Sequence, residues 1–150
     1  MIPSTVERVP EHTSNHVNER ISSETEERVV RIAAKDRGAI DKRLTELDRE
    51  WDIERTLEAN ASSLMLLGLG LGAFVHQLWF LFPGVIAAFL LQHAIQGWCP
   101  PLPILRRFGF RTTSEIDHER YALKAIRGDF DHLNLEGESN PEHVVHTMRQ

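Results

Sequence analysis

Charged side chains are missing from nearly a third of the chain: between Glu58 and Arg106 stand 47 consecutive residues without an Asp, Glu, Lys or Arg. That gap excludes an ordinary solvated segment. A membrane-spanning helix needs roughly 20 mostly apolar residues, so the block has room for two spans and a turn. Cysteine is nearly absent as well, and Cys99 alone cannot close an intrachain disulfide. The first 20 residues hold no apolar core of the length a cleavable leader needs, so the hairpin itself is expected to direct insertion. Basic runs are lacking, and the formal net charge of -5 argues against nucleic acid as a partner.

Catalytic and metal motifs are missing too. The sequence shows no HExxH helix, no nucleophile elbow and no glycine loop followed by Lys-Ser. The alternation from Gly68 to Gly72 resembles a nucleotide loop only in composition. His93 and Cys99 are six residues apart, but a zinc site wants about four ligands at recognisable spacing. No enzyme activity, metal or cofactor is therefore expected.

What is present reads as an all-α chain: a two-span transmembrane hairpin flanked by a long amphipathic helix and a C-terminal cytoplasmic helix. Residues 1–22, with Pro3, Pro10 and several hydroxyl side chains, read as a mobile arm. Ser23 to Glu26 matches a capping box and opens an amphipathic helix over 23–58. Val30, Ala33, Ile40, Leu44, Leu47 and Trp51 form its apolar stripe. The stripe suits a coiled-coil seam, a bilayer surface, or packing on the chain's own neighbours.

The hairpin occupies 59–99, with spans at about 59–76 and 82–98 and an aromatic turn from Gln77 to Phe82. Pro83 suits a first helical turn, and the run from Cys99 to Pro103 ends the second span. Residues 100–150 form a cytoplasmic segment in which Thr112 to Glu115 is a second capping box. It opens a helix at about 114–127, closed by Gly128. Asn140 and Pro141 mark a short terminal helix.

Lys42, Arg43, Arg49 and Arg55 precede the hairpin and Arg106, Arg107 and Arg111 follow it, while the turn has no basic residue. Basic residues stay on the cytoplasmic side, so both termini are placed there. Matched depths bring Gly68 and Gly72 level with Ala88 and Gly84, a small-residue contact that serves the hairpin or a dimer. Gln92, His93 and Gln96, facing Asn60, Ser62 and Ser63, are candidates for interhelical hydrogen bonds or a pore lining. His76 is expected at the outer boundary, and His143 and His146 in the soluble tail. Cys99 is a juxtamembrane thiol, either unmodified or acylated.

Leu66 to Gly68 opening an apolar span, the aromatic turn, and the exit Gly97, Trp98, Cys99, Pro100 resemble the YgaP-like transmembrane domain family over about residues 50–110. The resemblance implies a helix-packed, dimeric hairpin of the bacterial inner membrane. It does not carry over sulfurtransferase activity, since Cys99 matches the hairpin exit. The expected function is a noncatalytic anchor or assembly module, with the lipid bilayer, a second copy of the chain and a soluble protein on the cytoplasmic helices as partners. The alternative is a small oligomeric pore or auxiliary transport subunit. A third reading is a helical protein that buries the hairpin within itself.

Overall fold

The computed structural model describes residue 4 and residues 6–130; the Asn140–Pro141 helix, His143 and His146 lie outside the described residues. Among the described residues every regular element is helical. The chain divides into two compact units, Met1–Glu24 with Glu50–Ile116, and Thr25–Arg49 with Asp117–Gln150.

The expected long helix over 23–58 is three helices. The first, α1, spans Asn15–Ala33, so eight residues of the expected mobile arm are helical and Ser23 lies mid-helix. The next, α2, spans Arg37–Leu47 and is capped by Asp36, whose side chain accepts from the Ala39 amide. Then α3 runs over Ile53–Phe74, capped by Asp52 accepting from the Arg55 amide. Each aspartate satisfies a backbone donor that an uninterrupted helix would bond internally, so each starts a new helix.

A 3-10 turn, Gln77–Phe80, joins α3 to α4, Leu81–Gln96. His76 caps that turn, its Nδ1 accepting from the Leu78 amide at 3.2 Å. Gly97, left-handed at φ 79, ends α4 and donates to the His93 carbonyl at 2.7 Å. After Cys99 the chain forms a short helix α5, Leu102–Arg107, with Pro103 in its first turn. Helix α6, Thr113–Arg127, opens on a capping box: the Glu115 carboxylate accepts from the Thr112 amide at 2.8 Å, and the Thr112 hydroxyl accepts from the Glu115 amide.

In the first unit Val9, Ile53, Leu57, Cys99 and Leu102 form the apolar core, with Leu105 and Phe110 packed on it. Beside this core lies Arg106, 0% exposed. Its guanidinium donates to both Glu115 carboxylate oxygens, at 2.7 and 2.8 Å, and to Asn18, Thr13 and the Phe110 carbonyl. A buried guanidinium is tolerated only when its charge is matched and its donors are bonded. Arg111, also buried, clasps Glu50, and the Ile53 amide donates to the Arg111 carbonyl at 2.8 Å.

In the second unit Ile40, Leu47 and Leu123 are buried, and Glu119, 0% exposed, takes both Arg28 and Arg43. Of the apolar stripe, Ile40 and Leu47 are buried inside the protein and Ala33 and Leu44 are half-buried, while Val30 is exposed. Trp51 instead lies half exposed beneath the Arg55 guanidinium, 4.4 Å from the ring centre.

These contacts correct the transmembrane fold. Over their full lengths Ile53–Phe74 and Gln77–Gln96 have the length and composition to cross a membrane. The first turns of α3, however, carry Glu54, Arg55 and Glu58, and Ile53, Thr56 and Leu57 are buried in protein. The last turn of α4 is tied down through the Ala94 and Gln96 carbonyls, which meet Arg8 and His12. The charge-free part of α3 is about 16 residues, or about 24 Å, short of a hydrocarbon core of about 30 Å. The fold is an all-α chain organised by buried arginine–carboxylate pairs, and its apolar hairpin is one continuous part of the first unit.

Gly97 is a critical joint in that arrangement. A Cβ there would lie 2.5 Å from the Arg8 carbonyl oxygen, at a φ that disfavours any side chain. Gly97→Ala is expected to cost about 1–3 kcal/mol, seen as a lower midpoint in thermal denaturation. An unchanged midpoint would show that the Arg8 segment does not pack on this turn.

Candidate functional site

Close to its turn the hairpin is tight. A Cβ on Gly68 would meet Pro83 at 2.7 Å and Phe82 at 2.9 Å, and one on Gly72 would meet the Phe80 ring at 2.7 Å. Both glycines are buried, whereas Gly84 and Ala88 are exposed and a Cβ on Gly84 would meet nothing within 4 Å. The small-residue face of α3 is therefore filled from within the chain by aromatic and proline side chains, leaving it unavailable to a second copy. This removes the basis of the dimer expectation.

Further from the turn a wedge opens between the two helices and the segment that follows them. It is a pocket of about 450 Å³, lined by Leu57, Asn60, Ala61 and Leu64 of α3 and Ile86, Phe89 and Leu90 of α4. Cys99, Pro100, Pro101, Ile104 and Leu105 close its third side. Asn60 is the one amide side chain in this wall, and its nitrogen already donates to the Thr56 carbonyl at 2.8 Å. Burial raises the Cys99 thiol above its ordinary pKa, more than the backbone bond at Leu102 lowers it. The thiol is thus a packed apolar group and no ready nucleophile.

Beside the wedge, sharing Leu57 and Leu90 with it, is a polar pocket of about 430 Å³ lined also by Arg8, Glu54, Glu58, His93 and Ala94. Arg8 forms an ion pair with Glu54 and reaches the Ala94 carbonyl at 3.4 Å. His93 is 7% exposed, and neither ring nitrogen has a hydrogen-bond partner among the described residues; the Arg8 Nε is in the same condition. Sequence reasoning singled out His93 but paired it with Gln92 and Gln96. Gln92 is half-buried and Gln96 exposed, while Asn60 and Ser63 bond within α3. The contribution of Arg8 was not legible, because its segment has no apolar period to mark it as packed.

Two groups make the unit acid-sensitive. Burial, reinforced by Arg8 and opposed by Glu54 and Glu58, holds His93 below its ordinary pKa of 6.5. The unfolded chain then binds a proton that the folded chain refuses, so stability falls as pH drops below about 6.5. For Glu115, burial alone would raise the pKa, but bonds from Arg106 and Thr112 outweigh it and hold the carboxyl below 4.5. Its contribution is full above about pH 4.5 and is lost on further acidification. Thermal midpoints measured from pH 7.5 to 3.5 should fall in these two stages. His93→Gln should flatten the first and Glu115→Gln the second, and unchanged slopes would contradict the assignment.

The outward surface of the hairpin is apolar, with Leu66 at 70% and Phe74 at 91% exposed. A continuous exposed apolar patch of this kind marks an interaction surface in general without naming what covers it. Among the described residues no three His, Cys, Asp or Glu side chains are grouped to hold a metal ion.

Compared with known proteins, the chain matches no family model, no curated protein and no solved structure. The resemblance to the YgaP-like transmembrane domain family is corrected accordingly: Gly97 stands where a left-handed turn meets the Arg8 backbone, and Cys99 stands in the core. The inner-membrane location, the bilayer as partner and the anchor and pore functions rested on that resemblance and on the span geometry, and the cytoplasmic termini on counting basic residues at the ends of those spans; all are withdrawn with the spans.

Proposed function

We propose that this chain is a noncatalytic binding protein that takes the aliphatic part of a small amphiphile into the wedge between α3, α4 and α5. The wedge itself carries the reading. It is concave, almost wholly apolar, and within the roughly 300–1,000 Å³ common for ligand sites. Aliphatic chains gain about 0.8 kcal/mol per buried methylene, so a chain of eight to ten carbons has enough to offset its ordering cost.

Titration calorimetry with decanol tests the proposal. Saturable one-site binding is expected for the unaltered protein. Ala61→Trp, which fills the wedge, should weaken it at least roughly tenfold, since displacing a few buried methylenes is worth more than 1.4 kcal/mol. Leu66→Ser, on the outward surface, should bind like the parent. Loss of binding in Leu66→Ser with none in Ala61→Trp would show that the outer apolar surface takes up the amphiphile, and the wedge reading would fall.

A further inference from the structure

Residues 6–13, which include the 3-10 turn Pro10–His12, are fastened to the base of the hairpin. Val9 enters the core with Ile53, Leu57, Cys99 and Leu102. Arg8 pairs with Glu54 and reaches the Ala94 carbonyl, and its own carbonyl lies against Gly97. The His12 Nε2 donates to the Gln96 carbonyl at 2.9 Å. All of these fastenings lie within two turns of His93, whose carbonyl takes the Gly97 amide, or in the core beside it. Both His93 ring nitrogens are buried with no partner among the described residues, and Arg8 lines the same pocket. The ring is thus enclosed in a state that suits it only while neutral.

We propose that residues 6–13 are a proton-operated latch, which protonation of the buried His93 imidazole releases from the base of the hairpin. Burial first, and then Arg8, disfavour a charged ring, against the attraction of Glu54 and Glu58 on α3. Glu54 is already engaged by Arg8, and Glu58 is exposed. His12, the other titratable group of the segment near this end of α4, keeps its bond in either charge state, because the Gln96 carbonyl needs only its N–H. A proton on His93 therefore sets an unbonded buried cation beside a second cation, and hydration of the ring relieves both. The part that leaves with least loss is the one carrying the like charge. Residues 6–13 are held by one apolar side chain and a few bonds, whereas α3 and α4 are continuous helices. Departure of Arg8 also frees the Glu54 carboxylate for the imidazolium. Once hydrated, His93 returns to its ordinary pKa of 6.5, so opening takes up a proton and is favoured by acid below that pH. Val9 then leaves the core, and the latch bares apolar surface as the pH falls.

Amide hydrogen exchange of the full-length protein between pH 7.5 and 5.5, corrected for the intrinsic pH dependence of exchange, tests the latch. The reporters are the Glu11, His12 and Thr13 amides, which donate to the Glu7, Val9 and Pro10 carbonyls. Their protection should fall roughly three- to tenfold over this range, since one proton supplies at most about tenfold per pH unit. At either pH it should depend little on urea below the unfolding transition, while that of the Leu90 and Leu91 amides depends on it steeply. His93→Gln should remove the fall with pH. His12→Gln, at an exposed position, should retain it. Protection that does not change with pH, a fall that survives His93→Gln, or a fall abolished by His12→Gln would each overturn the latch. Reporter amides with the urea dependence of Leu90 and Leu91 would overturn it too, by showing that residues 6–13 come away only when the whole unit unfolds.

Discussion

Arg106→Met is expected to destabilise the protein by about 3–5 kcal/mol, the usual cost of removing one partner from a buried ion pair. The side chain is 0% exposed and ties α5 to Asn18 and Thr13 near the amino terminus and to Glu115 at the start of α6. Methionine fills much of the space but leaves the Glu115 carboxylate without its guanidinium, and Asn18 and the Phe110 carbonyl without their donor. Arg106→Lys should recover little, because an ammonium cannot bond both Glu115 oxygens while reaching Asn18. Adding Glu115→Gln to Arg106→Met should cost much less than the sum of the two single changes, since the second removes the charge that the first strands. Chemical denaturation of the four proteins measures this, and additive losses would mean that the pair does not act as a unit.

A comparable loss, again about 3–5 kcal/mol, is expected for Glu119→Ala. Glu119 is 0% exposed, and its two oxygens take Arg43 at 2.7 Å and Arg28 at 3.0 Å. Without the carboxylate two guanidinium groups face one another, and the like charges add repulsion to the lost bonds. The effect should appear first in the second unit, as faster amide hydrogen exchange along α2, Arg37–Leu47. Unchanged exchange in α2 would show that Glu119 does not hold it. Glu119→Gln, which keeps an acceptor but not the charge, should fall between the parent and the alanine variant.

The charge-free block was legible as a helical hairpin, because 47 residues without a charge and a turn rich in aromatics leave few other solutions. The contacts that place it were not. Val9, Arg8 and His12 reach the hairpin from a segment without helical periodicity, and Arg106 finds Asn18 and Glu115 through pairings that no spacing rule signals. The breaks at Asp36 and Asp52 carried a signal, an aspartate ahead of a new helical run, but the stripe resumed on the same face at Ile40, seven residues after Ala33, and reached Trp51 directly before Asp52, which concealed it. Gly68 and Gly72 were legible as points of close approach. Their partners were misassigned because depth matching opposed small residues to small, whereas the 3-10 turn swings Phe80, Phe82 and Pro83 across α3 instead. His93 was legible as a buried polar residue, and Arg8, Glu54 and Glu58 around it were not.

The most direct measurement of the central claim is photo-crosslinking of the full-length protein with a decyl chain carrying a terminal diazirine, followed by mass spectrometric mapping of the adducts. Binding in the wedge predicts saturable labelling confined to Leu57–Leu64, Ile86–Leu90 and Pro100–Leu105, abolished by Ala61→Trp. Labelling spread along the outward surface, at Leu66, Leu69, Phe74 and Leu91, and unaffected by Ala61→Trp, would contradict the account and show that the hairpin as a whole is the apolar surface that is covered.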